Sequence, residues 1–127
     1  MAQMQVNDWK LTTQDGYSEI SLVKKPSVIA EASMLGGEQK ILEVRKFSPK
    51  VVVIVYKAGI SGTSVLVEST YGLLYNIESQ KFLGDYPLRY KTQSDAPYTF
   101  EQPSWKVEGN SLKISDANSD IEVTIAL

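Results

Sequence analysis

A chain of 127 residues, 43% of them hydrophobic and 22% charged, has the size of one ordinary domain and can bury a core without metal or disulfide support. It contains neither histidine nor cysteine, which removes the thiolate nucleophile, the imidazole base and the common ligands of zinc and copper, and leaves no signature of a cofactor or metal. Thirteen Lys and Arg against fifteen Asp and Glu give a net charge of -2 with the two signs mixed, so no basic block is present to displace counterions from a phosphate backbone and nucleic acid is not an expected partner.

The elements follow one another as short strands separated by turn chemistry. Asp15-Gly16 stands between 9–13 and 17–22, two runs in which large or β-branched side chains alternate with polar ones. Asp-Gly accepts the positive φ values of a type I′ turn, so a two-residue hairpin is expected. Pro26, the alanines at 30 and 32, and Gly36-Gly37 suggest one short helix near 27–35, although the same residues alternate well enough for a strand. From Gln39 to Phe47 the chain alternates, with Leu42 and Val44 expected on one side and Glu43 and Arg45 on the other.

Val51 to Tyr56 is apolar on both faces, which a strand requires only in the middle of a sheet covered above and below. Two layers of structure must therefore flank it. The run is also the longest apolar stretch and is far too short to span a bilayer as a helix. Strands are expected next at 65–67, 71–77 and 81–83. The last quarter reads as a meander of 105–107, 112–114 and 121–127, turning at Gly109-Asn110 and Asp116-Ala117-Asn118. In its final run Ile121, Val123, Ile125 and Leu127 share one face. The expected fold is an all-β single domain over 1–127, an antiparallel sandwich or small barrel of seven to nine strands.

Three groups of residues are candidates for function. Lys57 to Ser64 reads as a glycine-serine loop whose backbone N–H groups and hydroxyls could meet an anion or carbonyl. It is not a nucleotide-phosphate loop, because Thr63 and a strand follow Gly62 where a lysine and a helix would be needed. Gly84 to Lys91, with Tyr98 and Phe100 beyond, places Tyr86, Arg89 and Tyr90 on proline-bearing loops, and such residues dominate binding hot spots. The carboxylates Glu19, Glu43 and Glu122 fall at outward strand positions and Asp15, Asp95 and Asp116 in turns. That pattern is a solvated surface rather than the paired acids of a glycosidase.

Between Val51 and Leu83, the order of apolar strand, glycine-serine loop, strand and the hairpin of Tyr75 to Phe82 resembles small secreted bacterial β-proteins. The loop Ser61-Gly62-Thr63-Ser64 is similar to the Ser-Gly-x-x-Tyr loop of bacterial periplasmic lysozyme inhibitors, with Val65 where that family has tyrosine. The resemblance implies a non-enzymatic extracytoplasmic binding protein, an inhibitor or immunity protein directed at a cell-wall hydrolase. On that reading Ser61, Thr63 and Ser64 supply hydrogen bonds, Lys57 meets an acidic cleft, and Tyr86, Arg89 and Tyr90 anchor a protein partner. The residues after Met1, Ala2-Gln3 onward, show no basic or apolar signal region, which fits either a cytoplasmic protein or a mature secreted chain whose signal a start Met replaces. The alternative function is a small-ligand or lipid carrier with an apolar cavity inside a barrel.

Overall fold

Side chains that are apolar on both faces of one strand need a partner layer on each side, and the structure supplies both. The computed structural model describes residues 5–14, 17–24, 29–32, 38–62, 66–92 and 100–127. The described strands are β1 (Trp9–Gln14), β2 (Tyr17–Leu22), β3 (Ile29–Ala32), β4 (Lys40–Lys46), β5 (Val51–Ser61), β6 (Val67–Asn76), β7 (Lys81–Thr92), β8 (Ser104–Glu108), β9 (Ser111–Asp116) and β10 (Ile121–Ala126). They form three antiparallel sheets, β1-β2-β3, β4-β5-β6-β7 and β10-β9-β8, each an open meander in chain order. None closes into a barrel. Ten strands replace the seven to nine expected, because each covering sheet is a complete three-stranded unit.

The four-stranded sheet lies in the middle. On one face Val52, Ile54 and Tyr56 of β5 and Leu73 and Tyr75 of β6 meet Trp9, Ile20, Leu22 and Ala32 of the first sheet. On the other, Val51, Val53 and Val55 with Leu74 meet Leu112 and Ile114 of β9, with Trp105, Val123, Ile125 and Leu127 packed around them. Every residue from Val51 to Tyr56 is 0% exposed except Val53 at 3%. At about 25 cal/mol per Å² of apolar surface removed from water, burial of this run on both faces is a large stabilising contribution. The alternation of β10, half-buried at Ile121, Val123 and Ile125 and exposed at Glu122, Thr124 and Ala126, is as the sequence implies.

Four features differ from the sequence reading. The segment near 27–35 carries strand β3 over Ile29–Ala32 where a helix was expected, pairing Ala32 with Ser18 and Ala30 with Ile20. A free strand edge on β2 and a core position for Ala32 outweigh the weak helical preference of these residues. In β4 a bulge between Ile41 and Glu43 leaves Leu42 unpaired and 40% exposed, so Ile41, not Leu42, shares the core face with Val44. The stretch read as a glycine-serine loop is strand as far as Ser61, with a bulge between Lys57 and Gly59 that Gly59 makes possible at φ 133. Gln39 donates through Nε2 to the carbonyl of the bulged Ala58 at 3.2 Å and also bonds Ser18 and Thr13, fastening the first sheet to the middle one.

The fourth difference is β7. The segment 84–91 is not a loop but the edge strand of the middle sheet, paired with β6 throughout. Pro87 is tolerated because an edge strand has one side on which no ladder N–H is needed. Register shifts opposite Thr70/Tyr71 and Leu74/Tyr75 insert extra residues in β7, so that Leu83, Tyr86 and Leu88 all reach the second core despite their uneven spacing.

Trp105 is the key of that core. Its indole Nε1 donates to the carbonyl of Pro87 at 2.8 Å, and its ring lies over Gly72, where a Cβ would sit 2.8 Å from Cη2 and 3.0 Å from Val53 Cγ1. A side chain at 72 therefore has to push β8 off the middle sheet. Gly72→Val is expected to cost about 1–3 kcal/mol, the usual penalty for overpacking a filled core. Chemical denaturation followed by tryptophan fluorescence measures it, and a variant as stable as the parent with an unchanged emission spectrum contradicts the packing described.

Candidate functional site

Strands β5, β6 and β7 are 11, 10 and 12 residues long, whereas the covering strands have 4 to 6. At roughly 3.3 Å per residue the middle sheet outruns its covers by about 15 Å. Its free end carries a cavity of about 380 Å³, lined by Ser61 and Gly62 at the end of β5, Val67, Ser69 and Tyr71 of β6, Tyr90 of β7, Phe100, and Asn118 and Ser119 from the β9–β10 turn. The period of two explains the β6 contribution, since 67, 69 and 71 point to one face.

A buried carboxylate organises this site. Asp116 is 1% exposed. Its Oδ2 accepts from the Tyr90 hydroxyl, and its Oδ1 accepts from the backbone N and side-chain Nδ2 of Asn118 at 3.1 and 3.2 Å. Asn118 Nδ2 also donates to the carbonyl of Glu101. The sequence reading placed Asp116 among solvated turn acids; the structure buries it, because the turn folds against β7. The signal was present in Asp116-Ala117-Asn118, whose spacing is that of a side chain bonding the backbone N–H two residues on.

The edge of β7 is closed at the same place. Gln102 accepts from the backbone N of Tyr90 through Oε1 at 2.7 Å and donates through Nε2 to the Tyr90 carbonyl at 2.8 Å. One amide side chain thus takes both backbone groups that a further strand would use. Tyr90 is thereby held at its backbone by Gln102 and at its hydroxyl by Asp116, with its ring 6.2 Å from that of Phe100.

The electrostatics of the walls follow from this burial. Tyr90 is pushed up to about 12, first by desolvation and then by its bond to the Asp116 carboxylate, with Ser119 opposing. Tyr71 is raised too, by burial first and then by the charges of Asp85 and Asp116. Both phenols stay neutral donors and acceptors at any physiological pH. The cavity surface is consequently aromatic and hydroxylic, and none of its lining side chains carries a charge. Phe100, 37% exposed, leaves apolar surface at its margin. Such a surface can take an apolar or aromatic group and hydrogen-bond its neutral polar neighbours.

Of the sequence candidates, Ser61 and Tyr90 meet here. Thr63 and Ser64 lie outside the described residues. Tyr86 packs on the second core with its hydroxyl donating to the Leu83 carbonyl at 3.4 Å and its ring against Gly84, where a Cβ would fall 2.3 Å away. Lys57 and Arg89 lie on the opposite face of the same strands. Lys57 Nζ is 3.6 Å from Glu68 Oε1, and Arg89 pairs across the ladder with Thr70. Phe100, which stands beyond Gly84 to Lys91 in the second candidate group, joins Ser61 and Tyr90 at the cavity, and Tyr71, Ser69 and Asn118 are site residues that the sequence candidates do not include.

Tyrosines that ionise less readily in the fold than in the unfolded chain stabilise the fold below the unfolded value of about 10, and that stabilisation is lost as pH rises towards the folded value. Stability should therefore fall between pH 10 and about 12, where Tyr90 titrates. In Tyr90→Phe the fall should be shallower, while stability near neutral pH drops by about 1–3 kcal/mol because buried Asp116 loses a donor. Denaturation curves across this pH range, with tyrosinate absorbance read in parallel, test both statements. An unchanged neutral stability in Tyr90→Phe would show that the Tyr90 and Asp116 contact carries no weight.

Compared with models of known families, with curated proteins and with solved structures, the chain matches none.

Proposed function

We propose that this protein is a non-enzymatic binding protein that engages a protein partner through the free end of its middle sheet, and that the partner is a cell-wall hydrolase which it inhibits or neutralises outside the cytoplasm. One observation carries the first half of the reading: Ser61 and Tyr90, drawn from two separate sequence candidates, line a single uncharged aromatic cavity at the free end of the long strands. The cavity's walls are held by the Asp116 and Gln102 contacts rather than left to adjust. A preformed pocket lets a partner's side chain enter with little ordering cost, which is how small rigid binders gain affinity. The choice of a hydrolase rests on the resemblance of Ser61-Gly62-Thr63-Ser64 to the inhibitory loop of periplasmic lysozyme inhibitors.

The carrier alternative draws no comparable support. It needs a barrel interior, and the three sheets here are open, with two packed clusters of buried side chains between them.

The purified protein should bind one of a panel of muramidases, glucosaminidases and amidases in calorimetry and slow its lysis of cell walls. Phe100→Ala should weaken that binding by about 2 kcal/mol, as expected of an aromatic anchor, with little change in thermal stability since the ring is already 37% exposed. Ser61→Trp, which fills the cavity mouth, should abolish it. If no hydrolase in the panel binds, the target class is wrong; if one binds and both variants bind equally well, the cavity is not the contact surface.

A further inference from the structure

The face of the middle sheet that turns away from the cavity becomes charged where β8, β9 and β10 stop covering it. Arg89 stands opposite Thr70 and Lys91 opposite Glu68, so these side chains share that face. With exposed Leu42 they line a shallow depression of about 200 Å³. Lys57 joins them through its ion pair with Glu68, and the Glu43–Arg45 pair lies beside them on β4. Arg45 holds the Glu43 carboxyl below the ordinary range by its hydrogen bond, and the charge of Arg89 adds to the effect.

The charges on this face do not cancel. Glu68 is matched by Lys57 and Glu43 by Arg45, whereas among the described residues neither Arg89 nor Lys91 forms an ion pair. Two exposed, unmatched cations thus stand together on a chain whose net charge is -2. They are two residues apart on one strand, about 7 Å along it, which is the repeat of side chains on one side of any extended segment. A single small anion fills only one such position. Backbone pairing is not available at the centre of this row, because Gln102 occupies both backbone groups of Tyr90.

We propose that Arg89 and Lys91, flanked by Leu42 and by the Lys57–Glu68 pair, form a docking surface for an extended segment of a protein partner with carboxylates at alternate positions. The inference rests on the binding-protein reading above and gives the partner's chemistry at a second surface of it. The contact acts through side chains: the carboxylates meet the guanidinium and ammonium groups, and an intervening apolar group meets Leu42. Charge pairs at such a rim mainly raise the rate of encounter and make it salt-dependent.

The test uses the intact chain and a synthetic peptide with glutamate at alternate positions, its glutamine counterpart and inorganic phosphate as probes, with backbone amide shifts as the readout. The glutamate peptide should shift Thr70, Arg89 and Lys91, and its affinity should fall as salt is raised. Converting Arg89 and Lys91 together to Glu should weaken it about tenfold or more. Glu68→Gln, which removes the local carboxylate and leaves Lys57 unmatched, should tighten it and needs no change to the exposed cations. The proposal fails if the glutamine peptide binds as well, if phosphate alone moves these amides, or if the double variant binds unchanged. Phe100→Ala should leave peptide binding intact, so loss of the cavity reading and loss of this surface are distinguished.

Discussion

Everything in this fold depends on burying both faces of Val51 to Tyr56. A strand with apolar side chains on one face can form the wall of a two-layer sandwich, but this run removes that option, since either face left in water exposes a column of valines and isoleucines. The chain answers with a sheet before the central one and a sheet after it. Trp9, Ile20 and Leu22 cover one side, and Leu112, Ile114 and Trp105 the other. The order of the layers therefore follows from chain order, each sheet a local meander and each interface between successive thirds of the chain. Gly72 belongs to the same constraint, because the second cover seats only if an indole ring can lie directly on the backbone of β6.

The proposed binding surfaces sit where that cover runs out. The three long strands extend beyond both outer sheets, and the two faces of their free end have opposite character, aromatic and uncharged around Tyr71 and Tyr90, cationic around Arg89 and Lys91. A projecting sheet end is also a hazard, since an edge strand such as β7 invites further pairing. Pro87 and the bidentate Gln102 amide remove that opportunity along the strand. At Tyr90 what remains exposed along this edge is side chain rather than backbone.

The candidate site was only partly legible. Ser61 and Tyr90 were singled out from composition, but their meeting depends on the β6–β7 register shift opposite Thr70/Tyr71, which no dipeptide announces. Asp116 shows the same gap. Its Asx spacing to Asn118 is local and readable, whereas its burial and its bond to Tyr90, 26 residues away, come from the β9–β10 turn folding onto the edge of β7. Tyr86 shows the converse: a tyrosine beside proline looks like a surface anchor in sequence, and the bulge near Gly84 turns it onto the second core.

Features that depend on near neighbours were readable from the residues alone. Alternation set the strands of the last quarter, turn residues set their ends, and the two-sided apolar run at 51–56 required a covered central strand. The absence of histidine and cysteine restricted the available chemistry in the same direct way. Contacts between distant segments settled the remainder. Residues 29–32 became a strand because β2 offered an edge to pair with, and Leu42 and Ala58 fall at register shifts of β4 against β5 and of β5 against β6 that partners far along the chain impose. Local preferences among these residues differ by fractions of a kcal/mol, and burial of a whole sheet face outweighs them, so the outcome is set by contacts between residues far apart in the chain.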